Sequence, residues 1–254
     1  MPTWADATEE ERWYAGGAFD GDGCVSVSSA HFLPRLELIQ AQRGRALLDT
    51  FQALFGGAIY ERAKPADPER HQPTWAWVLT GALAMAAARS LAPYAHLKRP
   101  QLLLVGHIRT DTKRIVHEQV ACLKRHPHLA IEHLPLPTPY AAGLLDTDGS
   151  FRAYPHVSLQ LTQKYPAALL AMQGTFGGSV CGEKWTVYGA KAKDVVRTIR
   201  PFLVVKNPQA DILLRAKLTK DIDAKIALLP YQGNQGARRH RHGLSKLNCL
   251  TRSE

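Results

Sequence analysis

The chain has 254 residues, enough for one large domain or two of ordinary size, and its 45% of hydrophobic residues excludes a wholly disordered protein. The formal net charge of +10 indicates a polyanionic partner, and nucleic acid comes first among these. The sequence contains no apolar run of 18 residues and no signal-like N-terminus, so we expect no membrane span and no membrane partner.

The cysteines are scattered along the chain and form no CxxC pair; they are Cys24, Cys122, Cys181 and Cys249. Such spacing argues against a zinc ribbon and against a disulfide framework. We therefore expect reduced thiols and an intracellular protein. The choice between an organelle and a bacterial or archaeal cytoplasm stays open.

One stretch occurs twice, about half a chain apart. Residues 14–23 read YAGGAFDGDG and residues 140–149 read YAAGLLDTDG, with Tyr, Ala, Gly, Asp, Asp and Gly at the same offsets. Self-similarity of this kind indicates two structural repeats.

Each copy predicts a helix. Thr8 and Glu11 form a capping box before the first copy, and Thr138 with Pro139 supplies an N-cap and a first helical residue for the second. Glycine inside a helix costs about 1 kcal/mol relative to alanine, so the motif glycines predict a close approach of the two helix backbones. These glycines are Gly16, Gly17 and Gly143.

The second aspartate of each copy stands where a helix disfavours it. Asp22 and Asp148 fall in the last helical turn, where the macrodipole favours a cation. For one copy alone, an Asp-Gly turn that closes the helix is an equally good explanation. An EF-hand is excluded because Cys24 and His31 stand where oxygen ligands should be. Two copies favour a helix pair that brings two carboxylates together, and these would repel each other unless a metal lay between them.

Period-two alternation and turn residues predict the other elements. Each half reads as an αββαββα unit. In the first half the predicted strands are 24–28, 35–42, 58–62 and 74–80, and the predicted helices are 45–55, 82–92 and a long helix from 98 to 124. In the second half the predicted strands are 151–154, 156–163, 179–183 and 184–188, and the predicted helices are 166–176, 190–200 and a long helix from 206.

Two short signatures align the halves. Counting back without a gap from the Phe-Gly-Gly that ends the second helix of each half aligns Gln42 with Gln163. Counting around Lys-X-Pro-Gln aligns Lys98 with Lys206. Taken singly, such a glutamine can simply end a strand, and such a lysine can cap a helix start or lie in solvent.

The predicted organisation is a first repeat at 1–125, a linker at 126–138, a second repeat at 139–229 and a basic tail at 230–254. Prolines in the linker favour an extended tether. Residues 236–242 of the tail read GARRHRH, which is typical either of a solvated tail or of an arm that tracks DNA phosphates.

The repeated motif ends in DGDG at 20–23 and in DTDG at 146–149, and it resembles the LAGLIDADG motif of the homing endonucleases. Two tandem motifs, covering most of the chain, resemble the single-chain, monomeric form of that family. The resemblance implies an α+β fold of two αββαββα repeats with pseudo-two-fold symmetry. It places the motif helices at the interface and a DNA-binding β-sheet saddle beside them.

The resemblance also implies a metal-dependent site. Asp22 and Asp148 would bind divalent metals, with backbone carbonyls near Gly21 and Thr147 as further ligands. Mg²⁺ is the expected cofactor, Mn²⁺ is expected to support cleavage, and Ca²⁺ is expected to bind without efficient cleavage. The further catalytic residues implied are Gln42, Gln163, Lys98 and Lys206.

DNA readout is expected from the open strand faces, because a two-stranded β-ribbon fits the major groove. The first half would present Ser26, Ser28, Arg35, Glu37 and Arg62, and the second half Arg152, Tyr154, Ser158, Gln160, Thr162 and Lys184. The two sets differ, so the long double-stranded target is either pseudo-palindromic or asymmetric. The protein would act as a monomer that requires no protein partner.

Together these features predict a site-specific endonuclease that cuts both DNA strands across the minor groove and leaves short 3′ overhangs. Two other functions stay open. An intron RNA maturase would use the same fold to help an intron splice. A non-cleaving DNA-binding protein would keep the interface without the chemistry.

Overall fold

A computed structural model describes residues 3–62, 73–125 and 135–231. The helices are α1 Glu9–Asp22, α2 Arg45–Phe55, α3 Gly81–Leu91, α4 Arg99–Gly106, α5 Lys113–Arg125, α6 Thr138–Asp148, α7 Pro166–Phe176, α8 Gly189–Ile199, α9 Asn207–Arg215 and α10 Ile222–Leu228. The strands are β1 Gly23–Val27, β2 Pro34–Ala41, β3 Ala58–Glu61, β4 Thr74–Thr80, β5 Gly149–Arg152, β6 Ser158–Thr162, β7 Ser179–Cys181 and β8 Lys184–Tyr188.

The two halves have the same α+β topology. Each half forms one four-stranded antiparallel sheet, in the order β1-β2-β4-β3 and β5-β6-β8-β7. The motif helices α1 and α6 pack against each other between the repeats, and the buried residues of both halves form one continuous core through them. The predicted tandem fold with pseudo-two-fold symmetry is confirmed.

Equivalent residues close the second helix of each repeat in the same way. Gly56 and Gly177 follow α2 and α7 with φ values of 72° and 67°, a region that glycine adopts without steric cost. The carbonyls of these glycines accept hydrogen bonds from the indoles of the fully buried Trp77 and Trp185, at 2.8 and 2.7 Å. The Phe-Gly-Gly signature therefore marks a real structural equivalence.

The prediction of one long helix after each lysine is wrong, because the structure has two separate helices in each of these places. In the first half, α4 ends at Gly106 and α5 begins at Lys113. Between them, the Thr112 hydroxyl and the Arg109 backbone hydrogen-bond each other, and such local bonds compete with helix formation. In the second half, Asp221 caps a new helix by accepting from the Ala224 N–H at 2.9 Å.

Two smaller predictions also need correction. Thr138 lies inside α6 and Pro137 occupies the N-cap position without a side-chain cap, whereas the Thr8–Glu11 capping box is present. Residues 156–157 do not belong to β6, because they pair with 218–219, the stretch that follows α9.

Most of the predicted linker, at 126–134, and the tail from 232 onward lie outside the described residues. Among the described helices, none combines the length and the apolar character needed to cross a bilayer.

Candidate active site

Glycines allow the two motif helices to pack backbone against backbone. A Cβ added to Gly17 would lie 2.0 Å from the Tyr140 carbonyl oxygen, and one added to Gly143 would lie 2.2 Å from the Tyr14 carbonyl oxygen. Both distances are far below any real contact of a Cβ, so any larger residue would force the helices apart. For these two glycines the predicted close approach of the motif helices is confirmed.

Gly16 serves a different contact from the predicted one. Its added Cβ would lie 2.0 Å from the carbonyl oxygen of Tyr94, in the segment after α3 of the same repeat. Gly21 instead faces the second motif, because its Cβ would lie 1.9 Å from the Thr147 hydroxyl oxygen. The adjacent glycines of the first motif therefore pack on two different neighbours.

The first aspartate of each motif is a buried hub that sequence reasoning missed. Asp20 is only 1% exposed and accepts the backbone N–H groups of His96, Leu97 and Lys98 at 2.6 to 2.9 Å. A carboxylate that accepts several N–H groups holds its chain segment firmly. The segment held here is the turn that delivers Lys98. The sequence signal that could have revealed this role is that the first aspartate recurs at the same offset in both motif copies.

Asp146 is the equivalent hub of the second repeat. It is 2% exposed and accepts the N–H groups of Val204, Val205 and Lys206 at 2.6 to 3.1 Å. A tyrosine from the other repeat completes each hub, since Tyr140 donates to Asp20 at 2.7 Å and Tyr14 donates to Asp146 at 2.8 Å. Burial and the facing aspartate raise the pKa of both tyrosines well above 10, so both remain O–H donors.

The two lysines cap the C-terminal ends of the motif helices. The Lys98 ammonium donates to the carbonyl oxygens of Phe19, Asp20 and Gly21. A cation at this end of a helix offsets the macrodipole and satisfies carbonyls that lack helical partners. The lysine thus explains how α1 tolerates an aspartate in its last turn.

Lys206 makes the matching contacts, donating at 2.8 to 2.9 Å to the carbonyl oxygens of Leu145, Thr147 and Gly149. Burial lowers the pKa of Lys206 to about 8, and the nearby aspartates only partly offset this. Burial also lowers the pKa of Lys98. Neither lysine side chain caps the helix that follows it, so the simple capping explanation of Lys-X-Pro-Gln does not hold.

The second aspartates, Asp22 and Asp148, meet where α1 and α6 end. A Cβ added to Gly21 would lie 3.4 Å from a carboxylate oxygen of Asp148, so the second carboxylate contacts the last turn of the first helix. Burial, and then the charge of Asp22, raises the pKa of Asp148 to about 6. Burial also raises the pKa of Asp22. The helix pair therefore holds two carboxylates close enough to influence each other.

One glutamine amide fixes each of these carboxylates. Gln163 donates from Nε2 to Asp148 at 2.7 Å, and Gln40 donates from Nε2 to Asp22. The predicted partner, Gln42, lies in a short turn after β2, where its amide oxygen accepts the Trp75 indole N–H. The alignment of Gln42 with Gln163 is therefore wrong, and Gln40 occupies the matching position.

Unequal loop lengths explain this error. Leu38 pairs with Gly23 and Leu161 pairs with Gly149, so the strand registers match Gln40 to Gln163. Gln40 lies 15 residues before Phe55, whereas Gln163 lies 13 before Phe176. The first repeat thus has two more residues between strand and helix, and counting without a gap missed them.

The open sheet face of the first repeat carries a polar network. Arg35 donates to Glu37 at 3.0 Å and to the Tyr60 hydroxyl at 2.9 Å, and Arg62 lies 4.0 Å from Glu37. Ser26 lies opposite Arg35 on the adjacent strand. Ser28, by contrast, is in the hairpin turn after β1, where its hydroxyl accepts the Leu33 N–H.

The open face of the second repeat is less regular. Arg152, Thr162 and Lys184 are exposed and Gln160 is half-buried, as an open face requires. Ser158 is only 4% exposed, contrary to the prediction, because its cross-strand neighbours Arg152 and Tyr188 carry large side chains. Tyr154 lies beyond the end of β5, with the Lys225 ammonium 4.4 Å from its ring centre.

The oxygen ligands at this site suit a hard divalent cation whose remaining coordination positions are filled by water or by substrate oxygens. Asp22 and Asp148 offer carboxylate oxygens, and within residues 3–62, 73–125 and 135–231 no cluster of three or more His, Cys, Asp or Glu side chains forms a closed metal site. Mg²⁺ commonly binds through one or two carboxylates and completes its shell with waters and phosphate oxygens. The carbonyls of Gly21 and Thr147 already accept lysine ammonium groups.

We expect Asp148→Asn to stabilise the fold at neutral pH. A carboxyl with a raised folded-state pKa stabilises the protein below pH 3.8 and loses that contribution as pH rises through about 6. Removing the charge should therefore raise the free energy of unfolding at pH 7.5 by up to about 3 kcal/mol, because the pKa rises from 3.8 to about 6 on folding and each pKa unit corresponds to about 1.4 kcal/mol.

Urea unfolding in EDTA at pH 7.5 and pH 4.5 measures the effect. The gain should shrink at the lower pH. Asp221→Asn is the control with opposite sign, because backbone hydrogen bonds lower the pKa of that partly exposed helix cap. A less stable Asp148→Asn protein at pH 7.5 contradicts the prediction.

No family model matches the chain, and no curated protein sequence matches it. Solved structures do. The LAGLIDADG meganuclease I-AabMI, bound to uncleaved DNA, matches with a TM-score of 0.59 at 13% identity over 80% of this chain and 88% of its own. The I-SmaMI homing endonuclease bound to cleaved DNA matches with a TM-score of 0.56 at 14% identity, over 94% of this chain and 95% of its own.

I-SmaMI bound to an uncleaved DNA target in the presence of calcium ions matches with a TM-score of 0.53 at 14% identity, over 94% of this chain and 97% of its own. At these identities the likeness establishes the fold, and it spans both repeats. This chain therefore has the two-repeat, single-chain fold of the LAGLIDADG homing endonucleases.

Proposed function

We propose that the chain is a metal-dependent, site-specific double-strand DNA endonuclease of the homing type. The observation that carries this proposal is the pair of carboxylates, Asp22 and Asp148, held at the ends of two packed helices. Each is oriented by a glutamine amide, and a buried lysine caps the helix that carries it. A structural ion pair would not need two carboxylates with raised pKa values side by side.

Asp22 and Asp148 would hold Mg²⁺, or Mn²⁺ in its place. Divalent ions there would neutralise charge on the attacked phosphate and the leaving oxygen and make a bound water more acidic. The chain's own residues prepare that site. Gln40 and Gln163 fix the carboxylate orientation, and Lys98 and Lys206 keep positive charge beside both carboxylates. With a pKa of about 6, Asp148 is mostly ionised at neutral pH and available as a ligand.

The proposed substrate is double-stranded DNA. The net charge of +10 suits a phosphate backbone, and both solved endonucleases named above contain DNA in their structures. The two open sheet faces would read bases from one chain, so no second subunit is required. The Arg35–Glu37–Tyr60 network of the first repeat has no counterpart at Ser158, which favours an asymmetric target.

A cleavage screen tests the function. Purified protein is incubated with a library of randomised duplexes in Mg²⁺, and the cut ends are sequenced. A parallel binding selection uses Ca²⁺, which is expected to support binding without efficient cleavage. The Asp22→Asn, Asp148→Asn double variant is the matched negative control.

We expect one family of related sites, cut on both strands with short 3′ overhangs, in the wild type alone. Selective binding in Ca²⁺ without cutting in Mg²⁺ would favour the non-cleaving DNA-binding protein. Binding of intron RNA with promotion of splicing, and no cutting of duplex DNA, would favour the maturase.

The two first-half glutamines should differ in their effect on cleavage. Gln40→Ala removes the amide that fixes Asp22, and loss of such a supporting group typically costs metal sites about 10- to 100-fold in affinity or activity. Gln42→Ala removes only the contact with Trp75 and should leave the rate within about twofold, since it touches neither carboxylate. Single-turnover cleavage across a Mg²⁺ titration separates the variants. Equal losses would contradict the register assignment.

A further inference from the structure

Two hydrogen bonds cross between the repeats at the motif helices. Tyr14 of α1 donates to Asp146 of α6, and Tyr140 of α6 donates to Asp20 of α1. All four side chains are at most 4% exposed. The pairs are reciprocal, so each repeat supplies one hydroxyl and receives one.

Each tyrosine hydroxyl donates to the same carboxylate oxygen as backbone N–H groups of the segment that ends at the lysine. This segment is residues 96–98 in the first repeat and 204–206 in the second, and we call it the lysine turn. Oδ2 of Asp20 accepts from Tyr140 and from the N–H groups of His96 and Leu97, while Oδ1 accepts from the N–H of Lys98. Three donors on one oxygen hold one another in place. Without the tyrosine hydroxyl, the carboxylate would move towards the remaining N–H donors, and the lysine turn that carries them would shift.

The second repeat has the same arrangement, with three donors on one carboxylate oxygen. Oδ2 of Asp146 accepts from Tyr14, Val204 and Val205, while Oδ1 accepts from the N–H of Lys206. In both repeats the turn ends at a lysine whose ammonium is packed among the helix-end carbonyls beside the reacting site. A shift of the turn therefore moves a charge that the chemistry uses.

We propose that Tyr14 and Tyr140 are positioning residues, each of which sets the lysine turn of the opposite repeat and thereby the rate at which that lysine's strand is cut. The proposal rests on the proposed endonuclease function. Each repeat therefore controls the position of the other repeat's lysine. Tyr140 acts through Asp20 on Lys98, and Tyr14 acts through Asp146 on Lys206.

The two lysine turns differ in the side-chain contacts that support them. The His96 ring lies 4.6 Å from the Tyr140 ring and stacks on Trp13 at 5.7 Å, so aromatic contacts also hold the first turn. Val204 occupies the place of His96 in the second turn and has no ring. Loss of the Tyr14 hydroxyl should therefore have the larger effect.

The test is single-turnover cleavage of a target duplex that carries a different fluorophore on each strand. Lys98→Met and Lys206→Met identify the strand that each lysine serves. Tyr14→Phe should slow the Lys206 strand about tenfold, and Tyr140→Phe should slow the Lys98 strand less, since a hydrogen bond to a charged group is among the stronger ones. In each variant the other strand should stay within about twofold of the wild type.

Hydrogen–deuterium exchange supplies a readout that does not need cleavage. Exchange at the Val204–Lys206 amides should rise in Tyr14→Phe, and exchange at the His96–Lys98 amides should rise in Tyr140→Phe. Equal slowing of both strands, or slowing of the strand served by the same repeat's lysine, would overturn the proposal. A wild type that cuts no duplex refutes the endonuclease function, and unchanged exchange in both variants then refutes the positioning role separately.

Discussion

Replacing either Asp22 or Asp148 by asparagine is expected to lower Mg²⁺-dependent cleavage of duplex DNA by about a thousandfold or more. A divalent cation contributes several kcal/mol of charge stabilisation in such reactions, and each 1.4 kcal/mol corresponds to about a tenfold change in rate. Asparagine keeps the shape of the side chain and an oxygen that can accept the glutamine amide proton, but it removes the charge that binds the metal.

Two measurements separate lost chemistry from lost folding or lost binding. The affinity of each variant for target DNA in Ca²⁺ is measured beside its cleavage rate in Mg²⁺, and we expect binding to fall far less than cleavage. Asp194→Asn, at an exposed site on α8 paired with Arg197, is the control and should cut at the wild-type rate. Full cleavage by both active-site variants would rule out the two-carboxylate mechanism.

The second large effect concerns the helix interface. Gly17→Ala or Gly143→Ala would place a methyl group about 2 Å from a backbone carbonyl of the opposite helix. Overpacking of a rigid core costs about 1–3 kcal/mol and occasionally more, and a backbone neighbour cannot rotate away as a side chain can. We expect a loss of about 3 kcal/mol in the free energy of unfolding, or no folded protein.

Gly174→Ala supplies the matched control. Gly174 lies in α7 with no atom within 4 Å of an added Cβ, so alanine there should stabilise the protein by about 0.5–1 kcal/mol through helix propensity. Urea unfolding of the three variants gives the comparison. Tolerance of alanine at positions 17 and 143 would mean that the helices do not pack this closely.

Local patterns in the sequence predicted most of the secondary structure. Alternation located β2, where Leu36 and Leu38 are fully buried and Arg35 and Glu37 are not. Glycine after phenylalanine marked the ends of α2 and α7 because both positions need positive φ. Ser158 escaped this rule, since burial depends on the cross-strand neighbours Arg152 and Tyr188 as well as on the strand's own alternation.

The repeated motif by itself determined the two-fold plan, the helix pair and the second aspartates, because those features follow from local residue types at fixed spacing. Only the tertiary structure decided which glutamine serves Asp22, since a two-residue difference in loop length is invisible to counting and visible in strand register. Tertiary structure also decided the use of the first aspartates and the lysines. Asp20 and Lys98 lie far apart in the chain, and only folding brings the carboxylate to the lysine turn and the ammonium to the helix end.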